Sequence, residues 1–230
     1  MSPDVLVPDG LKAITNISEH NFLINGLIVD FLRASGKRYA RGVLADIGCG
    51  KKPYRALFAP YVERHVGVDI KQNETNDVDV LGSAYETHLD SAAYDTILCT
   101  EVLEHLEEPN RAIAEMRRLL RPGGHVILTV PFFWHIHEAP RDFYRYSEYG
   151  LRHLFESGGF EIVELRPLTG FVVTFTQLGI YYVRTAFPRA RSALRVPFYL
   201  AQRAASFLNE RDNSRGYTSV YGLVARRRDD

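Results

Sequence analysis

Hydrophobic positions along the chain alternate between short continuous runs and stripes with helical spacing. The helical stripes predict helices at 18–35, with Ser18 as the N-cap, at 109–120 and at 147–159. The short apolar runs predict six strands, at 42–47, 65–70, 77–81, 94–100, 125–130 and 160–165. Strands and helices that alternate in this way indicate an α/β fold with a parallel sheet.

The last predicted strand, 218–226, comes late. About fifty residues, 167–216, precede it; they are rich in aromatic residues and arginine, and Pro188 and Pro197 interrupt their helical stretches. A connection of this length is too long to be an idle loop in a compact domain. We therefore predict a helical insertion before the last strand.

The stretch VLADIGCGKKPYR, residues 43–55, places a glycine turn at the carboxyl end of the first strand. A dinucleotide fingerprint needs a third glycine where Pro53 stands, and a phosphate-binding loop needs Gly-Lys followed by Ser or Thr. Asp69, at the end of the next strand, can accept hydrogen bonds from both hydroxyls of a ribose. The combination favours a nucleoside without pyrophosphate; the alternative is a tight turn beside a solvated carboxylate.

Four motifs in order, LADIGCG, VGVDI, YDTILCTEVLEHLEEP and LLRPGGHVILTVP, resemble the class I S-adenosylmethionine-dependent methyltransferases, in particular the methyltransferase type 11 group. The resemblance covers roughly residues 40–165 and the last strand. It implies a Rossmann-like three-layer sandwich with a seven-stranded, mostly parallel sheet and an antiparallel last strand. It also implies S-adenosylmethionine as cofactor and S-adenosylhomocysteine as product.

The same resemblance implies roles for individual residues. The turn would line the methionine end of the cofactor, the end of the second strand would bind the ribose, the segment after the third strand would contact adenine, and the segment after the fourth would edge the methyl-donor pocket. The implied cofactor-binding set is Asp46, Gly48, Cys49, Gly50, Asp69, Ile70, Ser83, Ala84, Thr100, Glu101 and His105.

Two details of these motifs carry further expectations. Lys52 stands where the family commonly has a third glycine, so we expect its side chain to point away from the ligand, while Pro53 suits the first turn of the next helix. If a helix begins near residue 101, Glu101 and His105 share a face and pair near the cofactor; the alternative is a capping and packing role.

The segment VPFFWHIHEAPRDFYRYSEYG, residues 130–150, concentrates polar and aromatic side chains directly after the fifth strand. We predict His137 as the general base, with Glu138 or Asp142 orienting it, because a histidine beside a carboxylate can take a proton near neutral pH. The alternative is a surface loop held by salt bridges. His135 and His137 have no fixed third ligand, so we predict no metal site.

Composition limits the binding partners and the cellular compartment that are expected for the protein. Lysine plus arginine and aspartate plus glutamate number 28 each, so no sequence-specific nucleic acid is expected. The start MSPDVLVPDG lacks the basic and apolar regions of a signal peptide, and no apolar run reaches the ~20 residues of a membrane span, so we expect a cytoplasmic protein. Cys49 and Cys99 are expected to be reduced, buried thiols.

We thus predict a single methyltransferase domain over residues 1–230, with an N-terminal helical segment 1–40, a core of 41–165 and 217–226, and the insertion 166–216. The predicted activity is methyl transfer to a small-molecule acceptor, with oxygen as the methylated atom and a saccharide or lipid-linked intermediate as acceptor. Alternatives are an RNA or protein methyltransferase, an NAD-dependent oxidoreductase, and a non-catalytic cofactor-binding or dimeric scaffold. The seven arginines within the insertion leave three roles open: a lid, a homodimer face, and contact with a membrane or lipid surface through 170–215.

Overall fold

The computed structural model describes residues 21–190, 192–209, 211–212 and 214–229. The predicted cap Ser18 and the insertion residues Arg191 and Glu210 lie outside the described residues. The α-helices are α1 (Phe22–Tyr39), α2 (Arg55–Phe58), α3 (Pro109–Leu119), α4 (Glu148–Ser157), α5 (Phe171–Ala186) and α6 (Arg195–Asn209). The strands are β1 (Val43–Ile47), β2 (Arg64–Asp69), β3 (Val80–Leu81), β4 (Tyr94–Thr100), β5 (Leu120–Pro131), β6 (Phe160–Pro167) and β7 (Val220–Arg227). Short 3-10 turns span Leu103–His105, Pro188–Ala190 and Arg215–Tyr217.

All seven strands form one sheet in the order β3-β2-β1-β4-β5-β7-β6. The pairs from β3 through β5 are parallel, whereas β7 runs antiparallel to both β5 and β6. This confirms the predicted seven-stranded sheet with an antiparallel last strand. The winding of the chain reverses between β1 and β4, and in open α/β sheets ligands bind at such a reversal, outside the carboxyl ends of the strands.

Helices cover both faces of the sheet, because successive strand residues point to opposite sides. Leu44 of β1 packs in the core cluster that contains Phe31 of α1. The next residue, Ala45, belongs to the other cluster, with Met116 of α3 and Phe155 of α4. The fold is therefore the predicted three-layer sandwich.

Strand β5 is longer than the sequence predicts. The sequence predicts this strand at 125–130, yet it begins at Leu120, directly after α3. Leu120 pairs with Tyr94, and the next pair joins His125 to Thr96, so the residues between Leu120 and His125 bulge out of the ladder. Gly123 has a φ of 72°, which the bulge requires and which side chains rarely adopt.

A buried carboxylate fastens the irregular segment after β3 to helix α3. Thr87 donates to Glu115 Oε1 from its amide, at 2.9 Å, and from its hydroxyl, at 2.6 Å. Arg118 donates to both Glu115 oxygens, at 2.7 and 2.8 Å, and to the Leu89 carbonyl oxygen. Burial opposes ionisation, but these donors outweigh it and lower the pKa of Glu115 from 4.5 to about 2.

The insertion before β7 is helical, as predicted. The first amides of helix α5 are bonded to the far end of the insertion: Asn209, Ser214 and Asp212 accept hydrogen bonds from the amides of Gly170, Phe171 and Val172. These acceptors satisfy amides that have no partner within the helix itself. Among the described residues, neither this helix nor any other combines the length and apolar character needed to cross a bilayer.

The Glu115 contacts predict a pH-dependent stability. Because the pKa of Glu115 is lower in the folded protein than in the unfolded chain, the ionised carboxylate stabilises the fold. This stabilisation is fully present above pH 4.5 and is lost as pH falls towards 2. The pKa shift corresponds to roughly 3 kcal/mol at most. We expect Glu115→Gln to lower the free energy of unfolding by about 1–3 kcal/mol at pH 7, with a difference that narrows between pH 5 and 3. Urea denaturation across this pH range measures it.

The matched control is Glu156→Gln on α4. Glu156 lies 3.5 Å from Arg152 in an exposed pair, for which a change below about 0.5 kcal/mol is expected. A Glu115→Gln protein with the same stability and pH dependence as the wild type would contradict the fastening role.

Candidate functional site

The glycine turn is tied to the end of the neighbouring strand β2. The amides of Gly48 and Cys49 both donate to the Val68 carbonyl oxygen, at 2.9 and 3.1 Å. The Gly50 amide donates to Asp69 Oδ2 at 3.0 Å, and the Ile70 amide donates to Asp69 Oδ1 at 2.7 Å. The Asp69 carboxylate is thereby held in one orientation, and each of its oxygens retains a lone pair for a ligand hydroxyl.

Gly48 is required by both backbone conformation and space. Its φ is 70°, and a Cβ at this position would lie 2.4 Å from Val102 Cγ2. Gly50 also has a positive φ, 50°, but a Cβ there would meet open space. Gly48 therefore allows the segment after β4 to pack closely against the turn, whereas Gly50 is needed only for its positive φ.

Lys52 continues the turn in a left-handed conformation, with a φ of 47°. Its side chain is buried, passes over Gly67 and forms an ion pair with Asp79. A Cβ at Gly67 would lie 2.2 Å from Lys52 Cε, so the absence of a side chain at Gly67 leaves the space that the Lys52 side chain occupies. Burial opposes ionisation of Asp79, but the contacts from Lys52 and the Gly67 amide lower the pKa of its carboxyl.

The expectation for Pro53 is wrong. Helix α2 begins two residues later, at Arg55, and Tyr54 occupies the position before it. The Lys52 carbonyl oxygen accepts from the Arg55 amide, so Lys52 and Pro53 belong to the turn and not to the helix.

A cleft of about 690 Å³ opens at the carboxyl ends of the strands, a size typical of small-molecule sites. It contains most of the predicted cofactor residues, namely Gly48, Asp69, Ile70, Ser83, Ala84, Glu101 and His105. Its acceptor side contains Glu138, Arg141 and Phe143 from the segment after β5. Of these, Arg141 and Phe143, together with Tyr85 and Lys71 on the cofactor side, were not predicted as site residues; a position directly after a strand was the signal available for them.

The remaining predicted cofactor residues lie outside the cleft lining. Asp46 is buried in the sheet, and its Oδ2 lies 2.8 Å from His65 Nε2 on the neighbouring strand. Cys49 is a buried free thiol whose pKa is raised to about 12, mainly by burial. Gly50 and Thr100 likewise contribute no lining atoms, so contact between these four residues and the cofactor stays a prediction.

The segment after β4 does not begin an α-helix. Glu101 has a φ of 52°, and its amide donates to the Thr129 carbonyl oxygen at 3.0 Å; the chain then makes only the 3-10 turn Leu103–His105. Glu101 and His105 thus do not share a helix face, and that expectation is wrong. Burial raises the pKa of Glu101 to about 7, with Thr129 and Arg145 opposing the shift.

Glu104, which the sequence analysis assigned no role, is fully buried beside the cleft. Neither of its carboxylate oxygens has a hydrogen-bond partner, and the ring nitrogen Nε2 of His105 lies 3.6 Å from Oε1. Burial, reinforced by the nearby Glu101, raises the pKa of Glu104 well above its ordinary value. The run TEVLEHL, residues 100–106, therefore contains a carboxylate in an unusual environment.

The segment after β5 is organised by Arg145. Its guanidinium donates to both oxygens of Asp142, at 2.6 and 2.8 Å, and to the carbonyl oxygens of Trp134 and His135. These bonds hold the pKa of Asp142 well below its usual range, against the effect of burial. Asp142 Oδ2 also accepts from the His137 amide, at 2.9 Å, and lies 3.4 Å from His137 Nδ1.

The predicted catalytic group is thus brought together only in part. His137 and Asp142 are adjacent, whereas Glu138 turns to the cleft and its carbonyl oxygen accepts from the Arg141 amide. The His137 ring does not line the cleft itself, but its centroid lies 4.9 Å from that of His105, which does.

The comparisons with known proteins agree with this geometry. Residues 45–128 match the family model described as a methyltransferase domain. A probable S-adenosylmethionine-dependent methyltransferase of Mycolicibacterium smegmatis is 28% identical over 188 residues, which cover 78% of this chain and 70% of that protein. The ubiquinone biosynthesis O-methyltransferase of Photorhabdus laumondii is 29% identical over 120 residues, 46% of this chain and 50% of that protein.

Among solved structures, the [4+2]-cyclase SpnF shares the fold with a TM-score of 0.61, at 16% identity and with full coverage of both chains. The sheet order and the cleft define an α/β protein with a small-molecule cleft at its topological switch point. The matched methyltransferase domain and the mycobacterial relative support a class I S-adenosylmethionine-dependent methyltransferase.

The turn geometry predicts opposite outcomes for two substitutions in one motif. Gly48→Ala places a methyl group against Val102 in a backbone conformation unsuited to alanine, so we expect S-adenosylhomocysteine affinity to fall at least tenfold. Lys52→Gly keeps the left-handed conformation and removes only the pair with Asp79, so we expect less than a threefold change. Isothermal titration calorimetry measures both, and circular dichroism confirms folding. Equal losses in the two variants would contradict this account of the turn.

Proposed function

We propose that this methyltransferase binds its cofactor in the cleft at the switch point and methylates a hydroxyl oxygen of a small-molecule acceptor. Asp69 would hold the ribose hydroxyls, because its carboxylate is fixed by two backbone amides and lines the cleft. Ser83 and Ala84 would border the adenine, and Gly48 and Glu101 the reactive end. The observation that carries the proposal is the continuity of the cleft from Asp69 to the segment after β5.

In this proposal, the residues after β5 meet the acceptor. Bound S-adenosylmethionine would supply the methyl group to the hydroxyl oxygen, and His137 would take the hydroxyl proton. Asp142 would orient His137, because it lies 3.4 Å from Nδ1 and is itself clamped by Arg145. The paired carboxylate stabilises the imidazolium that forms.

Oxygen is favoured as the methylated atom by the relatives as well as by the candidate base. A base is needed only if the acceptor's proton must leave, as it must from a hydroxyl. Several curated relatives are named ubiquinone biosynthesis O-methyltransferases; the one from Pectobacterium atrosepticum is 37% identical over 54 residues, 23% of this chain and 22% of that protein. This chain spans half or less of the length of these O-methyltransferases, so their acceptor is not carried over.

We propose that the insertion lies behind the acceptor side of the cleft, outside the cleft lining. It contributes no residue to the cleft lining among the described residues. Its helix α5 instead contacts the segment after β5, where the Tyr181 ring is tilted against His135 and edge-on to Trp134, with ring centroids 4.4 Å and 5.1 Å apart. A movement of α5 would therefore displace His135 and Trp134, and through them His137. This supports the lid role over a separate binding surface.

The cofactor assignment predicts a sharp dependence on Asp69. We expect Asp69→Ala to weaken S-adenosylhomocysteine binding at least tenfold, because both ribose hydroxyls lose their acceptor and the Gly50 amide loses its partner. Calorimetry measures the affinity. The control is Glu74→Ala in the exposed loop that follows, which should bind like the wild type. Unchanged binding in Asp69→Ala would remove the carboxylate from the site.

The proposed base predicts a loss in turnover with little loss in cofactor binding. We expect His137→Gln to lower kcat by 10²–10⁴-fold while S-adenosylhomocysteine affinity stays within threefold. His153→Gln, an exposed histidine on α4, is the matched control and should retain the wild-type rate. Activity is followed as transfer of the labelled cofactor methyl group into small-molecule extracts, with the product identified by mass spectrometry. Wild-type turnover by His137→Gln would exclude it as the base.

The same assay separates the other functional classes. Methyl incorporation into RNA or protein fractions, with binding that weakens steeply with salt, would overturn the small-molecule proposal. Cofactor binding without transfer to any fraction would favour a scaffold.

A further inference from the structure

The Glu104 carboxylate lacks the partner that a buried acid needs. It is fully buried and neither oxygen has a hydrogen-bond partner, and in the partly buried Glu101 beside it the buried Oε1 has none either. The nearby cation, Arg145, is already engaged, because its Nε, Nη1 and Nη2 all donate to Asp142 or to carbonyl oxygens. Burying two carboxylates without a positive charge is costly. The site is thus electrostatically incomplete on its described residues.

His105 is prepared to present one nitrogen to Glu104. Its Nδ1 lies 2.6 Å from the Arg141 carbonyl oxygen, and because a carbonyl only accepts, Nδ1 must carry the proton. The lone pair is then on Nε2, which lies 3.6 Å from Glu104 Oε1. Metal-binding histidines typically donate their second ring nitrogen to a carbonyl or carboxylate in this way.

His137 approaches the same point from the segment after β5. Its Nδ1 lies 3.4 Å from Asp142 Oδ2, and its ring faces that of His105 at a centroid distance of 4.9 Å. Asp142 is clamped by two bonds from Arg145, so the carboxylate behind His137 is fixed. The two histidines thus each have a polar group behind them and converge on one carboxylate.

We propose that Glu104, His105 and His137 bind one divalent transition-metal ion of the zinc type at the acceptor side of the cleft. One ligand atom from each of the three residues lies within 4.8 Å of the others. Ligand atoms around zinc, at about 2.0–2.2 Å from the ion, are roughly 3.3 Å apart, so side-chain shifts of about 1 Å close the site. Two imidazoles and one carboxylate are a set that zinc enzymes use when one position remains open for a water or substrate.

The ion would supply the positive charge that the buried carboxylates lack and would hold an acceptor oxygen at its open position. This role rests on the proposed function, whereas binding of the ion does not. It also reassigns His137 from base to ligand. No metal site was predicted from the sequence because His135 and His137 lack a third ligand; in the proposed site, Glu104 and His105 join His137, and His135 takes no part.

The test is metal binding by the full-length, tag-free protein after dialysis against a chelator. Titration with Zn²⁺ by calorimetry, and with Co²⁺ by its visible absorption, should show one equivalent bound with micromolar or tighter affinity. We expect His137→Gln, Glu104→Gln and His105→Gln each to weaken Zn²⁺ binding at least tenfold. His137 is partly exposed, so that variant keeps the test valid if Glu104→Gln fails to fold. His153→Gln should bind like the wild type.

Absence of one-equivalent binding, or binding that none of the three variants weakens, would overturn the site. So would a protonated-carboxyl infrared band that disappears in Glu104→Gln and persists when Zn²⁺ is added, because proton uptake would then neutralise Glu104 instead. Binding of the ion is tested separately from methyl transfer. Zn²⁺ binding without methyl transfer leaves the site standing, whereas full transfer by metal-free protein overturns the ion's role in the reaction and leaves the binding site to the titration.

Discussion

The attachment of the glycine turn to the end of β2 is the constraint on which the cleft depends. Two turn amides share the Val68 carbonyl oxygen, and a third reaches the Asp69 carboxylate, so the ends of β1 and β2 are locked side by side. Because these strands are parallel neighbours next to the winding reversal, their locked ends form the floor of the crevice. Gly48 then lets Val102 approach, which brings the segment after β4 over the same floor.

The opposite side of the cleft depends on charge rather than on backbone pairing. Arg145 gathers the carbonyl oxygens of Trp134 and His135 and the Asp142 carboxylate into one arrangement. The segment after β5 is otherwise irregular, and this clamp gives it a defined shape beside Glu101 and the buried Glu104. The cofactor side is thus built from main-chain contacts that many sequences can make, whereas the acceptor side is built from particular side chains. This division explains why the cofactor follows from the family and the acceptor does not.

Local patterns in the sequence predicted the strands, helices α3 and α4 and the cleft position of Asp69, because each follows from hydrophobic periodicity or a motif. The antiparallel direction of β7 was implied only by the family resemblance. Contacts between distant residues were not predictable. The pair of Lys52 with Asp79 depends on passage over Gly67, and the bulge after Leu120 depends on its register with Tyr94. The left-handed Glu101, which prevents a helix and directs Glu104 inwards, has no local signature at all. Such departures from local rules concentrate around the cleft, as is common at functional sites.

The most direct measurement is a crystal structure of the protein with S-adenosylhomocysteine. The account predicts the ribose hydroxyls within hydrogen-bond distance of the Asp69 carboxylate, the adenine beside Ser83 and Ala84, and the sulfur directed towards Glu101 and the segment after β5. A ligand bound elsewhere would contradict it, for instance in the groove between α3 and α4 near Arg117 and Gly158, as would a ribose that makes no contact with Asp69.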